Sequence, residues 1–153
     1  VTIETECSGI DTQVYVLREM RVPYEHAFSC ENDPEAVKTI RANTKPDCMY
    51  DDITKRDVHS MKSVDIYVAG FPCQPFSVAG KQQGFDDELG RGTIFFKGFK
   101  YIRVHKPKVF ILEKVKGIKT LHQANYVRTI IKILAYSIIY ISTSSNIGLI
   151  LLN

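Results

Sequence analysis

Two kinds of hydrophobic pattern alternate along the chain. Short runs of mostly apolar, β-branched and aromatic residues, such as "VDIYVAG" (64–70) and "KVFILE" (108–113), predict buried strands. Between such runs, residues 12–20 and 93–105 repeat apolar positions three and four residues apart, which predicts helices. Pro34 in "NDPEAVKTI" is typical of the first turn of another helix. The pattern therefore predicts βαβ units.

The remaining segments follow the same alternation. Further strands are predicted at residues 1–7, 25–31 and 137–142, a short extended piece ends at "DDIT" (51–54), and residues 121–136 predict a helix. Such an order is typical of an α/β fold with a mostly parallel sheet and helices on both faces. Because the chain has 153 residues and shows no repeat or linker, we expect one domain over residues 1–153.

Composition and charge narrow the class of protein. The net charge of +3 permits a polyanionic partner without requiring one. The four cysteines form no Cys-x-x-Cys pair and the histidines share no ligand spacing, so we expect no metal site. Residues 1–7 do not resemble a signal peptide, and the apolar runs near the C-terminus are shorter than the roughly 18 residues of a membrane helix. We therefore expect an intracellular protein, not a secreted one, with no membrane partner.

One long irregular stretch, from Phe71 to Gly92, follows the most apolar strand. A loop of this length inside a compact domain is uncommon unless it is functional. Parallel α/β sheets bind ligands at the carboxyl ends of their strands, and this loop begins at such an end. We therefore expect the functional site here.

Cys73 lies in this loop between two prolines, in "VAGFPCQPFS". A free cysteine is commonly a small buried apolar residue, and Cys7, Cys30 and Cys48 fit that interpretation. The prolines stiffen the backbone around Cys73 and favour a displayed side chain. A nucleophile and a buried thiol both remain open for Cys73.

Three carboxylates follow predicted strands. Glu113 ends "KVFILE" and lies beside the Cys73 loop if the two strands are neighbours, where it is either a proton donor or a surface residue. Glu31 and Asp52 follow the second strand and the short extended piece, where they either contact a nucleoside or cap local structure. "CSGIDT" holds one glycine where a dinucleotide fingerprint needs three, which argues against a redox enzyme that binds NAD(P).

The segments "GFPCQPFSVAGKQQGF", "RGTIFF" and "KPKVFILEKVKGI" closely resemble, in order and spacing, the Pro-Cys-Gln, Arg-Gly and Glu-Asn-Val motifs of the cytosine carbon-5 methyltransferase family. The resemblance continues upstream through "ECSGIDT", "SCEND" and "DDIT". It implies a Rossmann-like fold that binds S-adenosylmethionine and, in the DNA branch, methylates a cytosine flipped out of the duplex. Phe71 and Ser77 favour the DNA branch over the tRNA branch.

The resemblance also implies a role for individual residues. Cys73 is implied as the nucleophile that attacks carbon 6 of cytosine, and Glu113 as the acid that engages ring nitrogen 3. The implied residues of the S-adenosylmethionine site are Cys7, Gly9, Ile10, Glu31, Asn32, Asp52, Ile53 and Pro72. The implied residues of the DNA site are Pro72, Gln74, Ser77, Arg91 and Val115.

The chain departs from the family at four places. Cys7, Gly9 and Asp11 stand where the family has Phe-x-Gly-x-Gly, and we expect Asp11 to add negative charge near the sulfonium of the cofactor. Lys114 replaces the asparagine of Glu-Asn-Val, and Leu89 replaces the aspartate that usually precedes the Arg-Gly motif. The chain also reads "NIGLILLN" where the family continues into a further arginine motif.

The last departure predicts a C-terminally incomplete methyltransferase domain without a target-recognition domain. We expect the catalytic region of a DNA cytosine carbon-5 methyltransferase, with DNA and a second polypeptide that supplies the missing half as partners. The alternative is a catalytically silent or split domain that acts as a binding subunit. We expect "IGLILL" (147–152) to fill part of an open slot in the sheet beside "SIIYIS" as an added strand.

Overall fold

The computed structural model describes residues 1–72, 75, 83, 86–88, 90–114, 128–133 and 147–152. Its strands are β1 (Thr2–Glu6), β2 (Glu25–Cys30), β3 (Cys48–Tyr50), β4 (Ile66–Ala69), β5 (Val109–Lys114) and β6 (Ile147–Leu152). Its helices are α1 (Thr12–Glu19), α2 (Pro34–Asn43) and α3 (Ile94–His105), and residues 128–133 are also helical. None of the helices in these described segments is long and apolar enough to span a bilayer.

The strands form one parallel sheet in the order β3-β2-β1-β4-β5-β6. The chain moves from β1 outward to β3, then returns to β4 on the other side of β1. Right-handed crossovers therefore place α1 and α2 on one face and α3 on the other. The reversal of direction between β1 and β4 opens a crevice at the carboxyl ends of these strands. The predicted parallel α/β fold is confirmed.

Local sequence signals explain where α2 begins. The Asp33 carboxylate accepts hydrogen bonds from the backbone N–H groups of Glu35 and Ala36, both at 2.9 Å. Pro34 occupies the first turn, where a missing N–H donor has no cost. Both features are readable from "NDPEAVKTI", so this boundary was predictable.

The α3 face of the sheet holds an aromatic core. Tyr67 of β4 stacks on Tyr101 of α3 with ring centroids 5.1 Å apart, and Phe28 of β2 meets Tyr101 edge to face at 5.6 Å. Phe95 and Phe110 are buried in the same cluster. This packing fixes α3 across the central strands and so supports the floor of the crevice.

The C-terminal strand prediction is confirmed for Ile147–Leu152, which forms β6. β6 pairs in parallel with β5 along its whole length, from Val109 opposite Ile147 to Lys114 opposite Leu152. The expected slot beside "SIIYIS" concerns residues 137–142, which lie outside the described residues, as does most of the helix predicted at 121–136. The short extended piece before "DDIT" is β3.

Candidate cofactor and active site

A cavity of about 450 Å³ lies at the carboxyl ends of the central strands. Four consecutive strand-end loops, those after β1, β2, β3 and β4, contribute to its wall. The described lining residues are Cys7, Gly9, Cys30, Glu31, Asn32, Asp51, Asp52, Ile53, Thr54, Gly70, Pro72, Arg91 and Ile94. The position is the one that the topology of the sheet favours for a ligand.

The loop after β1 turns sharply to reach α1. Cys7, Gly9 and Asp11 all have left-handed backbone conformations, with φ angles of 49°, 56° and 61°. Only glycine adopts this region without a steric cost, while aspartate tolerates it better than most residues. The repeated left-handed turns bring the backbone of Gly9 to the cavity wall.

Glu31 connects this loop to the end of β2. One oxygen of its carboxylate, Oε2, accepts a hydrogen bond of 2.7 Å from the backbone N–H of Gly9. The other oxygen, Oε1, accepts from the N–H groups of Asn32 at 2.8 Å and Asp33 at 3.0 Å. These contacts fix the carboxylate at the rim of the cavity, which it also lines.

Asp52 is held within the loop that follows β3. Its Oδ1 accepts from the backbone N–H of Thr54 at 2.8 Å and from the Thr54 hydroxyl at 2.6 Å. Lys55 Nζ lies 3.2 Å from Asp52 Oδ2. The hydrogen bonds from Thr54, with a smaller contribution from Lys55, lower the pKa of Asp52, so the side chain is ionised at neutral pH.

The structure corrects the expectation for Asp11. Asp11 is fully buried, and its carboxylate points to the α1 and α2 face rather than into the cavity. It accepts hydrogen bonds from the hydroxyls of Thr5 at 2.6 Å, Ser29 at 2.9 Å and Thr44 at 2.7 Å. The left-handed backbone turns the side chain away from the loop's outer surface, so its oxygens act as acceptors in a buried hydrogen-bond network.

Glu113 lies beside the cavity. β4 and β5 are neighbours, as the sequence analysis requires, and Glu113 follows Leu112, which pairs with Ala69 at the end of β4. An ideal Cβ built on Gly70 would lie 3.5 Å from Glu113 Oε2. Since Gly70 lines the cavity, the Glu113 carboxylate is close to its wall.

Arg91 lines the cavity from the side of α3 and is oriented by Asp87. Its Nε lies 3.0 Å from Asp87 Oδ2 and its Nη2 lies 2.7 Å from Oδ1, a bidentate pair. Asp87 also accepts from the backbone N–H of Arg91 at 3.0 Å. Sequence reasoning noted the aspartate lost at Leu89 but missed Asp87, whose spacing of four residues from Arg91 was the available signal.

The structure brings together most of the residues implied for the cofactor. Cys7, Gly9, Glu31, Asn32, Asp52, Ile53 and Pro72 all line the cavity. Ile10 does not, because its side chain turns outward and is 51% exposed. Cys73, Gln74, Ser77 and Val115 lie outside the described residues.

Sequence reasoning missed several lining residues. These are Cys30, Asp51, Thr54, Gly70 and Ile94. Four of them lie within two residues of residues that were identified, and Ile94 is part of the quoted segment "RGTIFF", so proximity in sequence was a usable signal. Burial raises the pKa of the Cys30 thiol, which keeps it protonated and makes it a poor nucleophile. Within the described ranges, no group of three or more His, Cys, Asp or Glu side chains is arranged to hold a metal ion.

Comparison with solved structures supports the fold. The S. pombe Dnmt2 methyltransferase superposes with a TM-score of 0.64 over 86% of this chain and 41% of that chain, at 18% sequence identity. At this identity the likeness concerns the architecture of the sheet and helices.

Comparison of sequences identifies closer relatives. The Type II methyltransferase M.HpaII of Haemophilus parainfluenzae is 46% identical over 109 residues, which cover 70% of this chain and 30% of the relative. M1.ScrFI of Lactococcus lactis subsp. cremoris is 47% identical over 107 residues, which cover 70% of this chain and 27% of the relative. The matched part of the chain thus spans less than a third of either relative.

A family model extends this similarity over most of the chain. The model that matches, over residues 4–140, is described as C-5 cytosine-specific DNA methylase. The matched range begins within β1 and contains β2 to β5 and every described residue that lines the cavity. The chain belongs to the C-5 cytosine-specific DNA methylase family.

Proposed function

We propose that the chain binds S-adenosylmethionine in the cavity at the carboxyl ends of β1 to β4 and forms the catalytic part of a DNA cytosine-5 methyltransferase. The observation that carries the proposal is the convergence of four strand-end loops on one cavity of about 450 Å³. Volumes of this order suit a small-molecule cofactor. Membership of the C-5 cytosine-specific DNA methylase family supports the same assignment.

The donors and acceptors on the cavity wall suit an adenosine group. Each oxygen of Glu31 already accepts from backbone N–H groups, but the carboxylate has further lone pairs that can accept from ribose hydroxyls. Asp52 is ionised and can accept from an exocyclic amino group, and Ile53 beside it offers an apolar surface for a base. Bound S-adenosylmethionine supplies an electrophilic methyl group on its sulfonium.

The proposed chemistry uses Cys73 and Glu113. The Cys73 thiolate adds to carbon 6 of cytosine while Glu113 engages ring nitrogen 3, so that carbon 5 gains the electron density needed to accept a methyl group. Carbon 5 then takes the methyl group, and the demethylated cofactor is the leaving group. Solvent water accepts the proton of carbon 5 as the carbon–sulfur bond breaks, which restores the aromatic ring and the Cys73 thiolate. The proximity of the Glu113 carboxylate to Gly70 supports this role, since Gly70 is three residues before Cys73.

Arg91 is proposed as a contact to the DNA substrate. Its bidentate pair with Asp87 holds the guanidinium in one orientation at the cavity. The net charge of +3 is compatible with a polyanionic substrate.

Calorimetry on the purified chain tests the cofactor assignment. We expect weak, specific binding of S-adenosylmethionine or its demethylated product, and we expect Glu31→Ala to reduce that binding. Glu19→Ala is the matched control, because Glu19 is exposed at the end of α1 and is not part of the cavity wall. Equal binding by the Glu31 variant would rule out the ribose assignment.

A covalent trap tests the nucleophile. We expect no measurable methylation of duplex DNA by this chain alone, and recovery when a polypeptide that carries the arginine motif and a recognition domain is added. DNA with 5-fluorocytosine has no proton to lose at carbon 5, so the reconstituted mixture should retain an adduct on Cys73. If the Cys73→Ser chain forms the adduct equally well, or no adduct forms with the native chain, the catalytic assignment is wrong.

A further inference from the structure

A buried ion pair lies on the α3 face of the sheet, outside the set of residues assigned above. Glu6 is the last residue of β1, and Arg56 follows the loop after β3. The Arg56 guanidinium contacts the Glu6 carboxylate, and their side chains are only 2% and 0% exposed. Removing two charges from water is costly, so the pair must be held in a defined geometry.

Several elements fix the geometry of this pair. Arg56 Nη1 lies 2.9 Å from the sulfur of Met61, and the guanidinium carbon lies 5.7 Å from the centroid of the Tyr101 ring. The Tyr67 hydroxyl donates to Glu6 Oε2 at 2.5 Å. Arg56 thus contacts Glu6 of β1 and Tyr101 of α3, and Glu6 connects it to Tyr67 of β4.

The position of the pair connects two loops of the cavity. Glu6 directly precedes Cys7, and Arg56 comes two residues after Thr54. The side-chain hydrogen bonds described for Asp52 stay inside its own loop, with Thr54 and Lys55. These hydrogen bonds stabilise the conformation of the loop but do not connect it to the sheet. The Arg56–Glu6 pair does connect it, because Glu6 belongs to β1.

We propose that Arg56 is a positioning residue whose pair with Glu6 fixes the loop of residues 51–55 relative to the β1–α1 loop. The distance between the two loops is then the one that the adenosine end of S-adenosylmethionine requires. The choice of ligand rests on the function proposed above. Ile53 supports the coupling, because it lines the small apolar pocket beneath the cavity together with Glu6 and Tyr67.

A variant that removes both charges separates positioning from stability. Removing one partner alone leaves a buried unpaired charge and destabilises the fold, whereas removing both commonly preserves it. Glu6→Gln with Arg56→Met is suitable, because glutamine keeps an acceptor for the Tyr67 hydroxyl. Arg56→Lys keeps the charge but not the planar guanidinium, and Arg103→Met on the exposed side of α3 is the matched control.

Two measurements on the full chain test the proposal, with thermal unfolding followed in parallel. Calorimetry should show S-adenosylmethionine binding weakened roughly tenfold or more in the double variant. Binding should be weakened less in Arg56→Lys and should be unchanged in Arg103→Met. Hydrogen exchange without ligand should be faster at the amides of residues 52–55 in the double variant, while the amides of β1 and β4 keep their protection.

The outcomes separate the two proposals. If the double variant binds the cofactor and exchanges its loop amides as the native chain does, Arg56 has no positioning role. If the double variant has the same unfolding temperature as the native chain yet shows weaker binding and faster exchange, a purely structural role is excluded. If the native chain itself binds no S-adenosylmethionine, the proposed function fails, and hydrogen exchange of the unliganded loop still decides whether Arg56 positions it.

Discussion

At the scale of single residues, the side chains of β1 carry polar groups into both faces of the sheet. Thr5 reaches the Asp11 network on one face, whereas Glu4 and Glu6 are buried on the face that α3 covers. A buried polar group needs partners, because its hydration is lost on folding. The buried polar residues of β1 therefore need hydrogen-bond or charge partners inside the fold. We test two buried residues by substitution, namely Asp11, the acceptor for Thr5, and Glu4.

Asp11 has a left-handed backbone conformation and accepts hydrogen bonds from buried hydroxyl groups. Asp11→Ala removes the acceptor of three hydroxyls and keeps a Cβ at a φ of 61°, while Asp11→Gly removes the same acceptor but tolerates that angle. We expect both to lower the free energy of unfolding by about 2 kcal/mol or more, and Ala by about 1 kcal/mol more than Gly.

Urea unfolding of the two variants measures this difference. Glu19→Ala, at an exposed helix position, should stay within about 0.5 kcal/mol of the native chain. An alanine variant as stable as the glycine variant would show that the left-handed backbone at Asp11 carries no cost.

Glu4 is expected to make stability depend on pH. Burial, and then the charge of Glu6, raise the pKa of Glu4 well above its ordinary value of 4.5, against the opposing charge of Arg56, and Asp11 adds a small further increase. A hydrogen bond from the backbone of Val68 also opposes the increase in the pKa of Glu4 but does not cancel it. Between the two pKa values the folded state keeps a proton that the unfolded state has lost.

The stabilisation from Glu4 is therefore complete below pH 4.5 and is lost as the pH rises towards the folded-state pKa. Glu4 alone can make the free energy of unfolding fall by up to about 1.4 kcal/mol per pH unit in this range. Glu4→Gln has no proton to lose, so its free energy of unfolding should fall less steeply with pH than that of the native chain. Urea titrations from about pH 5 to pH 8 measure the slopes, and Glu19→Gln should match the native slope. Parallel slopes for native and Glu4→Gln chains would contradict a buried neutral Glu4.

At the scale of elements, α3 packs closely against the sheet at Gly98. A Cβ on Gly98 would clash with the Tyr67 hydroxyl and lie 3.1 Å from Glu6 Oε2. Alanine is the better helix former by about 1 kcal/mol, but Tyr67 and Glu6 are both buried and cannot move freely. We therefore expect Gly98→Ala to lower the free energy of unfolding by about 1–3 kcal/mol.

Thermal or urea unfolding measures the effect of Gly98→Ala. Lys97→Ala, at an exposed position of the same helix, is the matched control and should change stability by about 0.5 kcal/mol at most. A Gly98→Ala chain that is more stable than the native one would mean that helix propensity outweighs the close contact between α3 and Tyr67.

At the scale of the whole molecule, β6 is the last strand of the described sheet and covers one side of β5. It covers all six residues of β5, whose other side pairs with β4. Removing residues 147–153 should expose the backbone donors and acceptors of β5, lower the unfolding temperature and promote concentration-dependent self-association.

Thermal unfolding and size-exclusion chromatography at two protein concentrations test this expectation. A chain that lacks only Asn153 is the control, because it keeps the full ladder between β5 and β6. A monomeric shortened chain with the native unfolding temperature would show that β6 contributes little to the sheet.

For the part of the chain that the structure describes, the sequence by itself determined the order and type of the elements and the edge of the sheet where the cavity lies. Apolar runs and helical spacing report burial directly, so β1, α2 and α3 were predictable within a few residues. Glu31 and Asp52 were predictable as partners in one cavity, because the carboxyl ends of parallel strands meet at one edge.

Only the tertiary structure decided where individual side chains point. The φ of 61° at Asp11 directs its carboxylate away from the cavity, and Ile10 next to it turns outward. The pairing of Glu6 with Arg56 joins residues fifty positions apart, and no local pattern encodes it. Periodicity reports which residues are buried, whereas the partner of a buried charge depends on how the strands and loops pack in three dimensions.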